Sequence, residues 1–188
     1  MKNEATNTSR SLAGMNLAEL GGVAAAVGLR PFAAKQMAKW IYERRSDSID
    51  AMTDISLAAR QKLNDLGYTV GRCEPKASFR SADGTVKYVF DGVGGRSIEA
   101  VFIPDRDRAT LCVSSQAGCR MGCRFCMTGQ GGWQGNLTAA GIVNQILAIP
   151  ESRMLTNIVF MGMGEPADNV DAVIRAVDIL TAPWGLAW

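Results

Sequence analysis

The chain has 188 residues, 20 Lys+Arg against 18 Asp+Glu, no histidine, and 47% hydrophobic residues. That apolar share supports a buried core and excludes wholesale disorder, while a net charge of +2 confines any nucleic-acid contact to a local patch. Without histidine there is no Ser-His-Asp or Cys-His catalysis, no imidazole metal ligand and no histidine base.

No stretch approaches the ~18 apolar residues that a membrane span requires, and the N-terminus lacks the apolar centre of a signal peptide, so a cytoplasmic protein is expected. Residues 1–15 read as a flexible leader. Leu17, Leu20, Val23 and Val27 then share one helical face, which Gly28 stops. Pro31 opens a second helix with Phe32, Met37, Trp40 and Ile41 inward, and Met52 to Leu66 forms a third run with Ile55, Leu57, Leu63 and Leu66 inside and Gly67 as its stop. Residues 16–70 thus read as a small helical domain.

At Gly71 the period changes. Ser78 to Phe90 and Ser97 to Ile103 alternate, with turn signals at Asp83-Gly84 and Asp91 to Gly95, which predicts a β-hairpin or meander over 71–108. Pro104 and the charge run Asp105 to Arg108 read as a solvated connection. From Thr110 the order is a short strand (Leu111 to Ser114), a long loop (Ser115 to Leu137), and a helix capped by Thr138. A strand at Asn157 to Met161 follows, read as buried on both faces. A turn at Gly162 to Pro166 then leads to a helix capped by Asp168 or Asn169, with Val170, Val173, Ile174 and Val177 inside. The fold class is α/β, with residues 109–188 forming two consecutive βα units. Two such units leave strand edges and apolar surface uncovered, so a truncated chain is expected.

Five cysteines occur, Cys73, Cys112, Cys119, Cys123 and Cys126, and the last three fall within eight residues as Cys-x3-Cys-x2-Cys. In a reducing compartment such a cluster points to a metal. Gly118 and Gly122 let the backbone turn tightly around it. Structural zinc wants four protein ligands, which here would require Cys112 or Cys73 as the fourth. Three close thiolates without histidine fit better a [4Fe-4S] cluster held at three irons with the fourth left open. Arg120 and Arg124, with no acidic residue between Asp107 and Glu151, make the loop locally basic. Read alone, Gly164-Glu165-Pro166 is equally a ligand contact at a strand end or an ordinary turn, and Glu99 is an exposed hairpin glutamate.

The cysteine spacing, with an aromatic just before the last cysteine, resembles the radical S-adenosylmethionine superfamily. The strings SADGTVKY, ATLCVSSQAGC, CRFCMTGQGG, NLTAAGIVNQI and TNIVFMGMGEP resemble the dual-specificity 23S rRNA and tRNA adenine-C(2) methyltransferases, from about Leu17 onward. The resemblance implies an open radical-SAM (β/α) barrel, begun but not completed here. Cys119, Cys123 and Cys126 would hold the [4Fe-4S] cluster, with S-adenosyl-L-methionine on its open iron and against Gly164 and Glu165. It further implies Glu99 as proton acceptor from adenine C-2, in an apolar setting that raises its pKa, and Cys112 as a resolving thiol. That thiol would form a disulfide with a methyl-carrying cysteine, which is absent after Cys126, so these 188 residues are expected not to turn over alone.

The implied partners are 23S rRNA and tRNA, a flavodoxin-like electron donor and no membrane, in a monomer. The helical domain would contact RNA, with Lys35, Lys39, Arg44 and Arg45 as a phosphate patch or simply a solvated face. Cys73 has no implied role. The related adenine-C(8) methylating enzymes share the same motifs, and a zinc-stabilised RNA-binding module without catalysis is the reading from a different class.

Overall fold

The computed structural model describes residues 10–188. The leader expectation for residues 1–9 lies outside the described residues. Residues 10–15, however, are built into the fold. Ser11 bridges Thr69 in parallel, Leu12 is fully buried, and the Leu12 and Ala13 amides donate to the carbonyls of Thr69 and Val70 at 2.9 Å. An apolar Leu-Ala pair beside a polar stretch was outweighed in the sequence by its neighbours.

Three helices follow: α1 (Leu17–Ala26), α2 (Ala33–Ala38) and α3 (Leu57–Asp65). A capping box fixes the start of α1, with Glu19 N donating to Asn16 Oδ1 and Asn16 N to Glu19 Oε2, both at 2.9 Å. After α2 the chain widens into a π-turn at Lys39–Glu43, which buries Ile41 and Tyr42. Met37, Ile41, Met52, Ile55 and Leu63 are buried as the spacing predicts. Phe32, Leu57 and Leu66 are not: each lies on the outer surface. Leu57 begins α3 only after a Ser56 cap, so the helical period assumed from Met52 onward is broken and the two residues point away from the core.

The sheet is mixed and five-stranded, in the order β1 (Ala77–Arg80), β2 (Val86–Asp91), β3 (Ser97–Asp105), β4 (Arg108–Cys112), β7 (Asn157–Val159). The first four strands run antiparallel, and β4 pairs parallel with β7 through Thr110↔Asn157, Leu111↔Ile158 and Cys112↔Val159. The meander and the first βα unit therefore share one sheet. The charge run expected as a loose connection is a tight reversal at Arg106-Asp107, with Arg106 at φ 50, joining Asp105 to Arg108.

One sheet face is apolar and buried, carrying Tyr88, Phe90, Ile98, Ala100, Phe102 and Leu111. The opposite face carries Lys87, Glu99, Val101 and Cys112 and is more open. Helices α5 (Ala139–Leu147) and α6 (Val170–Thr181) complete the described chain. The face of α6 that is buried is Ala176, Ile179 and Leu180, whereas Val170, Ile174 and Val177 are exposed. Val173 packs against the core as expected, but the helix carries a second apolar stripe, and period alone assigns Val170, Ile174 and Val177 to the interior. Strand β7 is correspondingly less buried than expected: Asn157 is exposed, Ile158 and Val159 are half-buried, and β4 is its one partner among the described residues.

The buried residues of the helical unit, the sheet and α5 form one continuous cluster. Gly14 sits at the closest approach between the N-terminal segment and α5. Its φ is +87, and a Cβ there would lie 2.4 Å from the Ala140 amide nitrogen. The Tyr42 hydroxyl secures the same segment, donating to Met15 O at 2.7 Å and accepting from Gly14 N at 3.1 Å. Gly14→Ala is expected to lower unfolding stability by about 2–4 kcal/mol, from strain plus overpacking. Gly22→Ala, in open space on α1, is expected to raise it by about 0.5–1 kcal/mol, as helix propensity dictates. Urea midpoints of the two variants check both signs.

Candidate active site

At the C-terminal ends of β4 and β7 the two chains continue side by side. Val113 N donates to Val159 O at 2.9 Å, Gly162 N to Val113 O at 3.1 Å, and the amides of Ser115 and Gln116 to Met163 O at 2.9 and 3.1 Å. The approach is close because there is no side chain at Gly162 or Gly164. A Cβ on Gly162 would meet Val113 O at 2.7 Å, and one on Gly164, at φ +99, would meet Gln116 Cβ at 2.6 Å.

Ser114, Ser115 and Gln116 are buried, so their polar groups need partners inside the protein. Gln145, on α5, clamps Ser114 on both sides: Ser114 N donates to Gln145 Oε1 at 2.8 Å, and Gln145 Nε2 donates to Ser114 O at 2.9 Å. Ser114 Oγ accepts from Met163 N and donates to Glu99 O. Gln116 Oε1 accepts from Glu165 N at 3.0 Å, while its Nε2 donates to Asn136 Oδ1 and Asp168 Oδ2, both at 2.8 Å. Asn169 Nδ2 donates to the carbonyls of Ser115 and Leu137. Asn169 therefore stands at the start of α6 but spends its side chain on this network, and no side chain caps that helix. The sequence marks Asn169 as a helix cap and not as part of this network, and it does not mark Gln116 or Gln145 at all. The available signal was a pair of amide side chains, Asn144-Gln145, inside an otherwise apolar helix.

The segment expected as loop between Ser115 and Leu137 contains a hairpin of β5 (Gln116–Gly118) and β6 (Trp133–Asn136), with a bulge between Ala117 and Gly118 and a short helix α4 (Met127–Gln130) between its strands. The three clustered cysteines lie on this excursion, beyond the C-terminal end of β4. Cys119 N donates to Gly132 O at 3.2 Å and Cys126 N to Cys123 O at 3.0 Å, so the backbone turns around the cysteines as the glycines require. Arg120 reaches from this loop to Asp168 Oδ2 at 3.4 Å and lies 3.8 Å over the Trp133 ring, tying the loop to the turn after β7. A cleft of about 220 Å³ separates the two, lined by Gly118, Met127, Thr128, Gly132 and Met163 among others.

None of the five cysteines forms a disulfide among the described residues. Among the described residues no group of three or more Cys, Asp or Glu side chains is gathered closely enough to hold a metal ion, so the expected convergence of three sulfurs on one centre is not present in this structure. Thiols attract no charge and have no mutual force that would gather them. The donor set itself fits an iron–sulfur centre: three soft ligands within eight residues and no carboxylate among them. Hydrogen bonds from the backbone N–H groups of Gly129 and Thr128 hold the Cys126 thiol below its ordinary pKa, favouring the thiolate that ligation needs. Neither Cys73 nor Cys112 joins the three. Cys73 is exposed, with its backbone held in both directions by Asn144.

Cys112 and Glu99 project from the same open sheet face, since Val101 is the register partner of Cys112 and Glu99 lies two residues from it. Burial pushes the Cys112 thiol up, against a smaller opposing effect of the Met161 N–H. Glu99 is not in the apolar setting expected. Its carboxylate pairs with Lys87 at 3.1 Å and is 43% exposed, because the face that alternation assigns to it is the more open one. Gly164 takes the tight turn as expected, and the adjacent Glu165 Oε1 accepts from Ala167 N at 3.1 Å, capping its own turn.

Residues 10–68 match the ribosomal RNA large subunit methyltransferase N-terminal domain, and residues 113–183 match the radical SAM superfamily. A probable dual-specificity RNA methyltransferase RlmN of Parabacteroides distasonis is 55% identical over 179 residues, covering 95% of this chain and 52% of the relative. The chain is similar to the N-terminal half of the dual-specificity RNA methyltransferases of the radical SAM superfamily. The dual-specificity RNA methyltransferase RlmN of Geotalea uraniireducens is 46% identical over 90% of this chain and 49% of its own. The crystal structure of a radical SAM methyltransferase from Sphaerobacter thermophilus superposes with a TM-score of 0.86 at 38% identity, over 95% of this chain and 54% of that one. The chain thus spans about half the length of the curated relatives it matches. The fold is the α/β radical-SAM type, and among the described residues no helix is long and apolar enough to cross a membrane.

The opposite displacements of Cys126 and Cys112 set an order of reactivity, because the thiolate is the nucleophile. In the metal-free chain at pH 7.5, iodoacetamide is expected to label Cys126 at least about five-fold faster than Cys112. The gap should narrow as pH rises and Cys112 ionises. Peptide mass spectrometry of timed samples measures both rates.

Proposed function

We propose that the chain carries the cofactor-binding part of an enzyme that methylates C-2 of adenine in 23S rRNA and in the tRNA anticodon loop through a methyl-cysteine intermediate. The observation that carries this reading is that the three-cysteine loop and the Gly162–Glu165 turn follow the carboxyl ends of the parallel strands β4 and β7, where α/β folds place ligands, and are tied together by Gln116 and by the Arg120–Asp168 pair. Cys119, Cys123 and Cys126 would hold a [4Fe-4S] cluster. Such a cluster supplies the electron that cleaves the sulfonium of bound S-adenosyl-L-methionine to a carbon radical.

The chain's own residues position and protect. Gly162 and Gly164 let a nucleotide-sized ligand approach the backbone, and Glu165 lies where a carboxylate can accept from the ligand's ammonium. Glu99 is assigned the proton from adenine C-2. Lys87 stands beside it at 3.1 Å and holds the carboxylate in place on the open sheet face. Cys112, protonated by burial, is assigned the resolving thiol and needs deprotonation before it attacks. The partners are 23S rRNA, tRNA and a flavodoxin-like electron donor, for a monomeric cytoplasmic protein.

Anaerobic reconstitution with iron and sulfide tests the ligand set. Cys123→Ala is expected to lose most of the bound iron and the visible absorption, whereas Cys73→Ala retains both. Equal iron in the two variants would remove the assignment. Mass spectrometry of nucleosides from cells expressing the full-length gene separates 2-methyladenine from 8-methyladenine, and finding neither would end the functional reading.

A further inference from the structure

Four arginines meet at the seam between the helical unit and the sheet. Arg44 and Arg45 follow the π-turn, Arg72 lies on the segment entering the sheet, and Arg153 belongs to the single 3-10 turn Pro150–Met154 before β7. Backbone carbonyls draw them together: Arg72 Nη1 donates to Arg45 O at 2.9 Å, and Arg153 Nη2 donates to Arg44 O at 3.1 Å. Arg45 Nη1 donates to the buried Ser152 hydroxyl at 2.7 Å. Arg45 has a φ of 58, a conformation that costs a residue with a side chain.

The arrangement is under-satisfied. Arg45 Nε and Arg72 Nε are both buried without a hydrogen-bond acceptor. Glu74, 71% exposed, stands 3.5 Å from Arg72 Nε as an ion pair without hydrogen-bond geometry. The charges that act on Arg45 are the neighbouring guanidinium groups of Arg153 and Arg72. Burial first, and those two charges next, pull the Arg45 guanidinium below its ordinary pKa. Strain, like charges and orphaned donors on three separate chain segments all favour an anion with several acceptor oxygens.

We propose that Arg45, Arg72 and Arg153 form a phosphate site, and that a backbone phosphate of the RNA substrate fills it. This rests on the RNA-methyltransferase reading above. The Pro150–Met154 turn leads into β7 while Gly162–Pro166 leads out of it, so the site lies at the opposite end of that strand from the cysteine loop. It is a remote anchor for RNA, acting on affinity and not on the reacting atoms. Arg44, 4.0 Å over the Trp40 ring, extends the same positive surface. Lys39 of the expected basic patch is instead paired with Glu43 at 3.7 Å.

The test uses the 188-residue chain, a fluorescent RNA stem-loop and anisotropy titrations between 50 and 300 mM salt. These salt limits set roughly the window in which counterion release is read. Arg153→Gln is expected to weaken RNA binding by about three- to ten-fold and to reduce the slope of log K against log salt by about 0.7–0.9, as loss of one phosphate contact requires. Its thermal midpoint should not fall, because repulsion around Arg45 is relieved. Inorganic phosphate should raise the midpoint of the parent chain and not that of Arg45→Gln/Arg153→Gln. Unchanged RNA affinity and slope in Arg153→Gln would overturn the proposal. If, with RNA affinity so unchanged, inorganic phosphate still stabilised the parent chain and not Arg45→Gln/Arg153→Gln, the site would belong to a free anion and not to RNA. If the chain binds RNA in this way while cells expressing the full-length gene contain neither 2-methyladenine nor 8-methyladenine, the methyltransferase reading falls and the phosphate site stands.

Discussion

The backbone of Ser114–Gln116 runs through the interior just where two parallel strands end, and its amides and carbonyls must be satisfied there or the fold fails. Gln145, Asn169, Met163 and the Gly162–Gly164 backbone supply the partners. Satisfying them fixes what comes next on both chains. The β5–β6 hairpin that bears the cysteines and the turn that bears Glu165 are held against each other by the same amide side chain, Gln116. The candidate site is thus a by-product of burying a short polar segment, and its positions are set by hydrogen-bond accounting more than by the cysteines.

The two ends of β7 contrast in their electrostatics. At the carboxyl end, glycine-enabled close contact and a closed polar network leave little unpaired beyond the Ser115 hydroxyl. At the amino end, Arg72 and Arg153 donate to the carbonyls of Arg45 and Arg44, Arg45 donates to Ser152, and the Nε donors of Arg45 and Arg72 stay buried and unmatched. A fold with one continuous core across its helical unit and sheet can carry that local cost. Glu19 and Arg175, paired between α1 and α6, and Tyr42, edge-on to Trp184 at 6.0 Å between ring centres, add cross-links between the same two parts.

Much of this was legible in the sequence where a residue type has one physical use. Gly28 and Gly67 stop helices in left-handed backbone, Thr138 caps, and the cysteine spacing places three thiols on one excursion. What stayed hidden depends on partners distant in the chain. The inward face of α6 is chosen by α5, and Val170, Ile174 and Val177 lose to Ala176, Ile179 and Leu180 although their pattern is as regular. Leu12 is buried because Thr69 and Val70, nearly sixty residues on, offer it a strand edge. Alternation put Glu99 on one strand face with Val101, but could not show that Cys112 and Lys87 from the neighbouring strands share that face or that Lys87 stands against the carboxylate.

The most direct measurement is electron paramagnetic resonance of the reconstituted, reduced chain with and without S-adenosyl-L-methionine, in the parent and in Gln116→Leu. If the amide network is what holds the turn against the cysteine loop, the parent spectrum changes on adding the nucleotide. In Gln116→Leu the cluster signal persists while its response is lost. A parent signal indifferent to the nucleotide, or an undiminished response in Gln116→Leu, would contradict the account.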